Sequence, residues 1–383
     1  MAKQPKLKIG LVLDDGLDKP DGVQQYILTI GNWLSEHGHS VQYLVGQTTR
    51  RDISGVHSLS RNMRVRFNGN RLSIPLPARS KKLRILLKKE QFDVLHVQTP
   101  YSPFMGGQLI NLADSRTAVV GTFHILPNSW LSSIGNSLLG VWCRRSLRRF
   151  DTMLSVSSAA ANFAQKTFHI ASDISPNVID YQRFATAKPL AKYDNDTLTI
   201  LFLGRLVPRK GCQVLIKAVA LLAARDDLPK FRLVICGGGP LRASLEREVE
   251  KLGLGDIVEF AGFISEKDKP DYYASADVTV FPSKGGESFG IVLLEAMASG
   301  RAAVLAGNNP GYASVMAPKP RLLFNPHDPV SLSKRLATYL LDTPLRQELA
   351  EWGHTHTRAF DVNVVGPQLV DIYTKALRKR ERQ

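Results

Sequence analysis

Two glutamates eight residues apart, Glu287 and Glu295, sit in the segment GGESFGIVLLE (residues 285–295). Glu295 is the single acid in a run otherwise made of Ile291, Val292, Leu293, Leu294, Ala296, Met297 and Ala298. A carboxylate buried in such a run without donors costs several kcal/mol. The pattern therefore predicts a partner for Glu295, either the hydroxyls of a ribose or a neighbouring arginine. Glu287 lies in the loop ahead of the run, among Gly285, Gly286 and Gly290. Glycines there allow a backbone to approach a ligand closely. The free amides around Ser288, Phe289 and Gly290 form a helix start that attracts phosphate, worth roughly 0.3–1 kcal/mol per contact.

Cations supply the complementary half. The apolar run LTILFLG is followed by Arg205 and, past Pro208, by Arg209, Lys210 and Gly211. Positive charge after a strand and beside a helix start suits a diphosphate. Basic loop residues are common, so the weight comes from finding them in the same domain as the glutamate loop. In the other half of the chain His124 ends the run AVVGTFH, at the edge where ligands bind in open α/β sheets. A lone histidine in that place is either structural or ligand-facing. The DxD string Asp194-Asn195-Asp196 precedes a strand and reads as a solvated turn rather than a metal site. Cys143, Cys212 and Cys236 are scattered, with no CxxC and no Cys/His cluster, so neither a disulfide framework nor zinc is expected.

The elements that must position these groups are strands alternating with helices. KIGLVLDD, residues 40–45, FDVLHVQ, AVVGTFH and DTMLSVS are apolar runs ending in polar residues, and residues 23–37 are amphipathic at helical spacing. The N-terminal run is too short for a signal peptide, carries Lys8, and reads as the first strand. After a connector at about 176–196 the alternation restarts with LTILFLGRL, FRLVICGGGP, IVEFAG, VTVFPS and AAVLAG. This is an α/β protein of two doubly wound units. The domains expected are 1–190, with a C-terminal helix at about 358–383 packing back on it, and 191–357.

The net charge of +16 is uneven: residues 1–190 carry +12 and the remainder +4. A basic half predicts an anionic partner, whether nucleic acid, anionic lipid or a phosphorylated ligand. Recognition-helix and aromatic-stacking signatures are missing, so nucleic acid is not the expected partner. Two segments account for much of the charge. Residues 78–90, ARSKKLRILLKKE, interleave six cations with Leu83, Ile85, Leu86 and Leu87. Residues 129–150 place Trp130, Ile134, Leu138, Val141 and Trp142 at helical spacing before Arg144, Arg145, Arg148 and Arg149. The second, with Trp and Leu on one side and Arg at its end, has the pattern of an interfacial helix on an anionic membrane surface, each cation adding about 1 kcal/mol; the alternative is a core helix with a solvated basic end. No run is long enough to span a bilayer.

The motif set resembles the family-4 retaining glycosyltransferases of the GT-B fold. Glu287-Ser288-Phe289-Gly290 through Glu295 matches their E-x7-E clamp, and Gly204-Arg205 with Arg209-Lys210-Gly211 matches their phosphate pair. Within that family the chain is most similar to bacterial phosphatidylinositol mannosyltransferases, with counterparts in order over nearly its whole length. The resemblance implies two facing Rossmann-like domains and sugar transfer with retention, without a metal. The donor implied is a nucleotide-sugar, GDP-mannose, with UDP-sugars left open. The acceptor implied is a lipid or glycolipid, such as phosphatidylinositol, at the cytoplasmic membrane face; the alternative is a soluble sugar or sugar-phosphate acceptor. Glu295 would hold the ribose hydroxyls. Glu287, with Ser288, Phe289 and Gly290, would hold the donor sugar and phosphates, and Arg205 and Lys210 would neutralise the leaving diphosphate. Gly22 matches the glycine loop at the donor phosphates, and His124 the histidine beside the donor sugar. The chain departs from the family at Asp21, where a second glycine is usual, and at Gln98 and Thr99, where a histidine and an acid are expected.

Overall fold

In the computed structural model, residues 6–19, 21–67, 70–124 and 142–382 are described, with backbone alone over 64–67 and 70–74. The chain divides into two compact units, Met1–Val178 with Val362–Gln383, and Ile179–Asp361.

The first unit holds β1 (Lys8–Leu13), β2 (Ser40–Val45), β3 (Val56–Ser58), β4 (Asn62–Phe67), β5 (Asn70–Pro75), β6 (Val94–Gln98), β7 (Ala118–Phe123), β8 (Thr152–Ser155) and β9 (Asp173–Ile174). Seven of these form a parallel sheet in the order β3-β2-β1-β6-β7-β8-β9, while β4 and β5 pair antiparallel in a sheet of their own. Continuous apolar runs suit a sheet covered on both faces. Alternate residues of β1 and its neighbours go to opposite layers. Ile9, Leu11 and Leu13 pack with Ile27 and Ile30 of the helix Gly22–Glu36 and with Leu369 and Tyr373 of the helix Val362–Glu381. Val12, Leu95 and Val97 face Leu83, Leu86 and Leu109. The C-terminal helix is fastened to this unit along its length. Trp33 Nε1 donates to Asn363 Oδ1 at 3.0 Å, His96 Nδ1 lies 2.7 Å from the Tyr373 hydroxyl, and Arg380 pairs with buried Asp151 at 2.8 Å.

The second unit holds β10 (Leu198–Leu203), β11 (Phe231–Cys236), β12 (Val258–Gly262), β13 (Val278–Phe281), β14 (Ala303–Gly307) and β15 (Leu323–Phe324). They form a parallel sheet in the order β12-β11-β10-β13-β14-β15. In both sheets the strand order reverses beside the first strand of the unit, at β1/β6 and at β10/β13. That reversal opens a crevice at the carboxyl ends of the strands.

The helix Ser80–Glu90 sorts the residues of the first basic segment. Leu83 and Leu86 are buried in the core, whereas Lys81, Lys82, Arg84, Lys88 and Lys89 face outward with Ile85, which is 59% exposed. The apolar face of this helix is thus core packing, and its outer face is cationic. In the second segment residues 129–141, with Trp130, Ile134, Leu138 and Val141, lie outside the described residues, as do Ile125, Leu126, Pro127 and Asn128 after His124. Trp142 is described, is 71% exposed, and meets Phe104 edge-on at 6.4 Å. Among the described residues no helix is long and apolar enough to cross a membrane. Asp194, Asn195 and Asp196 are exposed in the turn leading to β10.

Candidate active site

The loops after β10 and β13 flank the strand-order reversal of the second unit and are bound to each other. Gly211 has φ +70, and a Cβ there would lie 2.0 Å from the Pro282 carbonyl oxygen, so only glycine lets the two loops meet. Lys284 N donates to Arg209 O at 2.8 Å. This contact sets Glu287 among donors. Its Oε1 accepts from Arg209 Nη1 at 2.6 Å, Lys210 Nζ at 2.9 Å and Ser283 Oγ at 2.7 Å. Burial pushes the Glu287 carboxyl up, but Lys210 and Arg209 outweigh it and hold the group at about 2. Burial lowers Lys210, opposed by Glu287 and reinforced by the nearby Arg209 and Arg205. Arg205 is exposed, and its guanidinium makes no hydrogen bond or ion pair among the described residues. Three cations against one carboxylate leave the cluster with two positive charges, the complement of a diphosphate.

The clamp loop then turns into the helix Ile291–Ala298. Gly290 precedes it at φ +106, and a Cβ there would sit 2.5 Å from the Tyr312 ring. Ser288 is partly buried, and buried Phe289 meets Phe360 edge-on at 5.8 Å. The loop thereby presents the start of a helix to the crevice beside the cations, an arrangement that binds anions.

Glu295 is 2% exposed, and the donors it requires come from the protein itself. Lys269 Nζ reaches its Oε1 at 3.0 Å and the Tyr273 hydroxyl donates to its Oε2 at 3.2 Å. Lys269 is held in turn by Glu266 at 2.8 Å. Burial raises the Glu295 pKa, with Lys269 pulling the other way. The partner is therefore a lysine rather than an arginine, and the carboxylate does not need a ligand in order to be satisfied. Lys269 and Tyr273 stand four apart on the helix Lys269–Ala274, so one face delivers both donors.

Gly22 and His124 belong to the first unit, apart from this cluster in the fold's division. Gly22 opens the helix Gly22–Glu36, and Asp21 ahead of it is extended, its side chain making no cap hydrogen bond. His124 follows β7 and is 4% exposed. Its Nε2 lies 2.6 Å from Gln98 Oε1, at the end of β6, and the Tyr26 ring stands edge-on at 5.0 Å. His96, two residues before Gln98, is held by the hydroxyls of Tyr373 and Thr122, each at 2.7 Å. Burial lowers both imidazoles to about 3, so both are neutral at physiological pH.

Of the residues singled out in the sequence, Arg205, Lys210, Glu287, Ser288, Phe289 and Gly290 lie on the two loops of one crevice. Glu295 lies behind them in the helix. Ser283, Lys269 and Tyr273 are contacts that the motif spacing does not mark. Lys269 and Tyr273 have a signal of their own, an i,i+4 polar pair inside a half-buried helix.

Two parallel doubly wound sheets, the second with a glutamate clamp and cations at its crevice, define a glycosyltransferase of the GT-B fold. The chain belongs to the family-4 glycosyltransferases: the Glycosyltransferase Family 4 model matches residues 20–183, and the Glycosyl transferases group 1 model matches residues 185–356. It is 31% identical to the phosphatidyl-myo-inositol mannosyltransferase of Propionibacterium freudenreichii subsp. shermanii, covering 97% of this chain and 95% of that one. It is 29% identical to the enzyme of the same name from Mycobacterium tuberculosis, over 96% of each. Sucrose-phosphate synthase from Thermosynechococcus elongatus shares the fold at TM-score 0.74 and 21% identity, covering 98% of this chain and 100% of that one.

Proposed function

We propose that this glycosyltransferase moves mannose from GDP-mannose, with retention of configuration and without a metal, to a lipid-linked acceptor such as phosphatidylinositol. Transfer would take place at the cytoplasmic membrane face. The observation that carries the reading is the cluster of Arg205, Arg209, Lys210 and Glu287 beside a glycine-capped helix start. The names of the full-length relatives supply mannose and phosphatidylinositol.

In this reading the diphosphate lies against Arg205, Lys210 and the amides of Phe289 and Gly290. Glu287 keeps the cations in place and faces the sugar with Ser288. Glu295 contacts the ribose while Lys269 holds its carboxylate in position. The family resemblance assigns Gly22 to the donor phosphates and His124 to the sugar. The bond from the anomeric carbon to the phosphate oxygen breaks as the acceptor oxygen adds to the same face. The acceptor proton passes to the departing diphosphate, whose charge the cations and helix amides stabilise. The outward cations of the helix Ser80–Glu90 provide the membrane contact, with exposed Ile85 among them.

The test is a nucleotide-sugar panel with lipid extract, read by product mass. A hexose added to phosphatidylinositol from GDP-mannose is the expected result. A soluble product from a UDP-sugar, unaffected by lipid, would replace this reading with the alternative. Liposome flotation checks the surface separately: recovery is expected only with anionic vesicles, and equal recovery with neutral ones contradicts the electrostatic contact.

A further inference from the structure

The imidazole of His124 is held at one of its two nitrogens by the carboxamide oxygen of Gln98. Gln98 Oε1 can only accept a hydrogen bond, and it lies 2.6 Å from His124 Nε2. That nitrogen must therefore carry the proton. A buried neutral imidazole has a single N–H, so Nδ1 is left with its lone pair. We infer that Gln98 is a positioning residue: it fixes His124 as the Nε2–H tautomer and so presents Nδ1 as a hydrogen-bond acceptor to a sugar hydroxyl.

The backbone around Gln98 is built to hold this contact. Gln98 pairs in register with Thr122 between β6 and β7, two residues before His124. Thr99 adopts a left-handed φ of +56, unusual for a β-branched residue, and its amide donates to Thr122 O at 3.0 Å. Its hydroxyl donates to Gln98 O at 2.6 Å. Strain at a β-branched residue persists only where the surroundings over-determine it. The groups facing His124 are the Tyr26 ring from the helix Gly22–Glu36, His96 on β6 and Asn177. None of these is charged at neutral pH; the Asn177 amide favours a protonated ring, but its Oδ1 has no partner in hydrogen-bonding geometry among the described residues, so the Gln98 contact at 2.6 Å is the one that selects the tautomer.

A second observation points to a ligand. Gln98 Nε2 is buried and has no hydrogen-bond partner among the described residues. An unsatisfied buried donor costs about 1–3 kcal/mol. A polyol, whose hydroxyls both donate and accept, would give a proton to Nδ1 and an oxygen to the Gln98 amide. The tautomer follows from the contact alone; the role of Nδ1 in transfer rests on the reading of His124 as the residue beside the sugar.

Nitrogen-15 NMR of histidine-labelled full-length protein tests it, with His124 assigned by its loss in His124→Asn. The expected wild-type signature is a neutral ring protonated on Nε2, unchanged over about pH 5.5–8. In Gln98→Glu the carboxylate favours a second proton, so the ring should become doubly protonated within that range. Turnover should then fall roughly tenfold while the donor KM stays within about twofold, and recover as pH rises. A wild-type ring protonated on Nδ1 overturns the inference, as does a Gln98→Glu variant with both signature and kcat unchanged. A shifted signature with unchanged kcat overturns the role of Nδ1 in transfer and leaves the hold by Gln98 standing. Gln98→Leu guards against a folding artefact: with no acceptor at position 98, the Nδ1–H form should become populated, and its absence contradicts the tautomer lock.

Discussion

The crevice loops of the second unit and the β6/β7 edge of the first hold their functional groups by opposite means. In the second unit Glu287 is fully ionised against Arg209 and Lys210, and the cluster keeps an excess of positive charge. In the first unit His96 and His124 are neutral, held by a glutamine amide and by hydroxyls, with no ion pair among the described residues. Charge is strong and discriminates poorly among anions of like geometry, whereas neutral hydrogen bonds read the placement of individual hydroxyls. In the proposed reading the charged cluster of the second unit suits the diphosphate, and the neutral His124 of the first suits a single sugar hydroxyl.

The largest effect that would break the comparison lies behind the clamp. Lys269→Met removes the ionic partner of buried Glu295, and breaking such a pair costs about 3–5 kcal/mol. Chemical denaturation should show that loss at neutral pH and a smaller one in acid. With its pKa raised above the ordinary 4.5, Glu295 supports stability below that value, and the support is lost as pH rises through the folded pKa. A variant as stable as wild type would show that the second unit does not depend on its ion pairs.

An intermediate effect is kinetic. Burial lowers the Lys210 pKa from its ordinary 10.5, so the free enzyme should lose donor kcat/KM on the alkaline side below that value. Glu287, at about 2, stays ionised throughout the working range and should contribute no acid limb. An acid limb that disappears in Glu287→Gln would contradict this. The smallest effect belongs to the first unit. Tyr373→Phe removes one hydroxyl from His96 and should cost about 1 kcal/mol by denaturation, with no pH dependence between 5 and 8.

Much of this was legible in the sequence because buried parallel strands are continuous apolar runs and the clamp has fixed spacing. Strands β1, β6, β7, β10, β11 and β13 fall within such runs. Strands β9 and β15 have two residues each, too few for a pattern. Strands β4 and β5 have only the subtler signal of alternation. What spacing could not supply was the partner of Glu295. Lys269 lies 26 residues away in sequence, and only the packing of two helices brings it to 3.0 Å. Periodicity also could not say what covers an apolar stripe. In residues 80–90 the same leucine spacing suits lipid or core, and the fold places Leu83 and Leu86 in the core. Gln98 is marked in the sequence only as a departure from the family; its hold on His124 emerges from the register of β6 and β7.

The most direct measurement of the central claim is the steady-state rate of Lys210→Ala with GDP-mannose and phosphatidylinositol vesicles. Loss of a cation that stabilises the leaving diphosphate should lower kcat/KM by roughly 100-fold, about 2.7 kcal/mol of transition-state stabilisation. A kcat/KM within about twofold of wild type, less than ~0.5 kcal/mol, would contradict it.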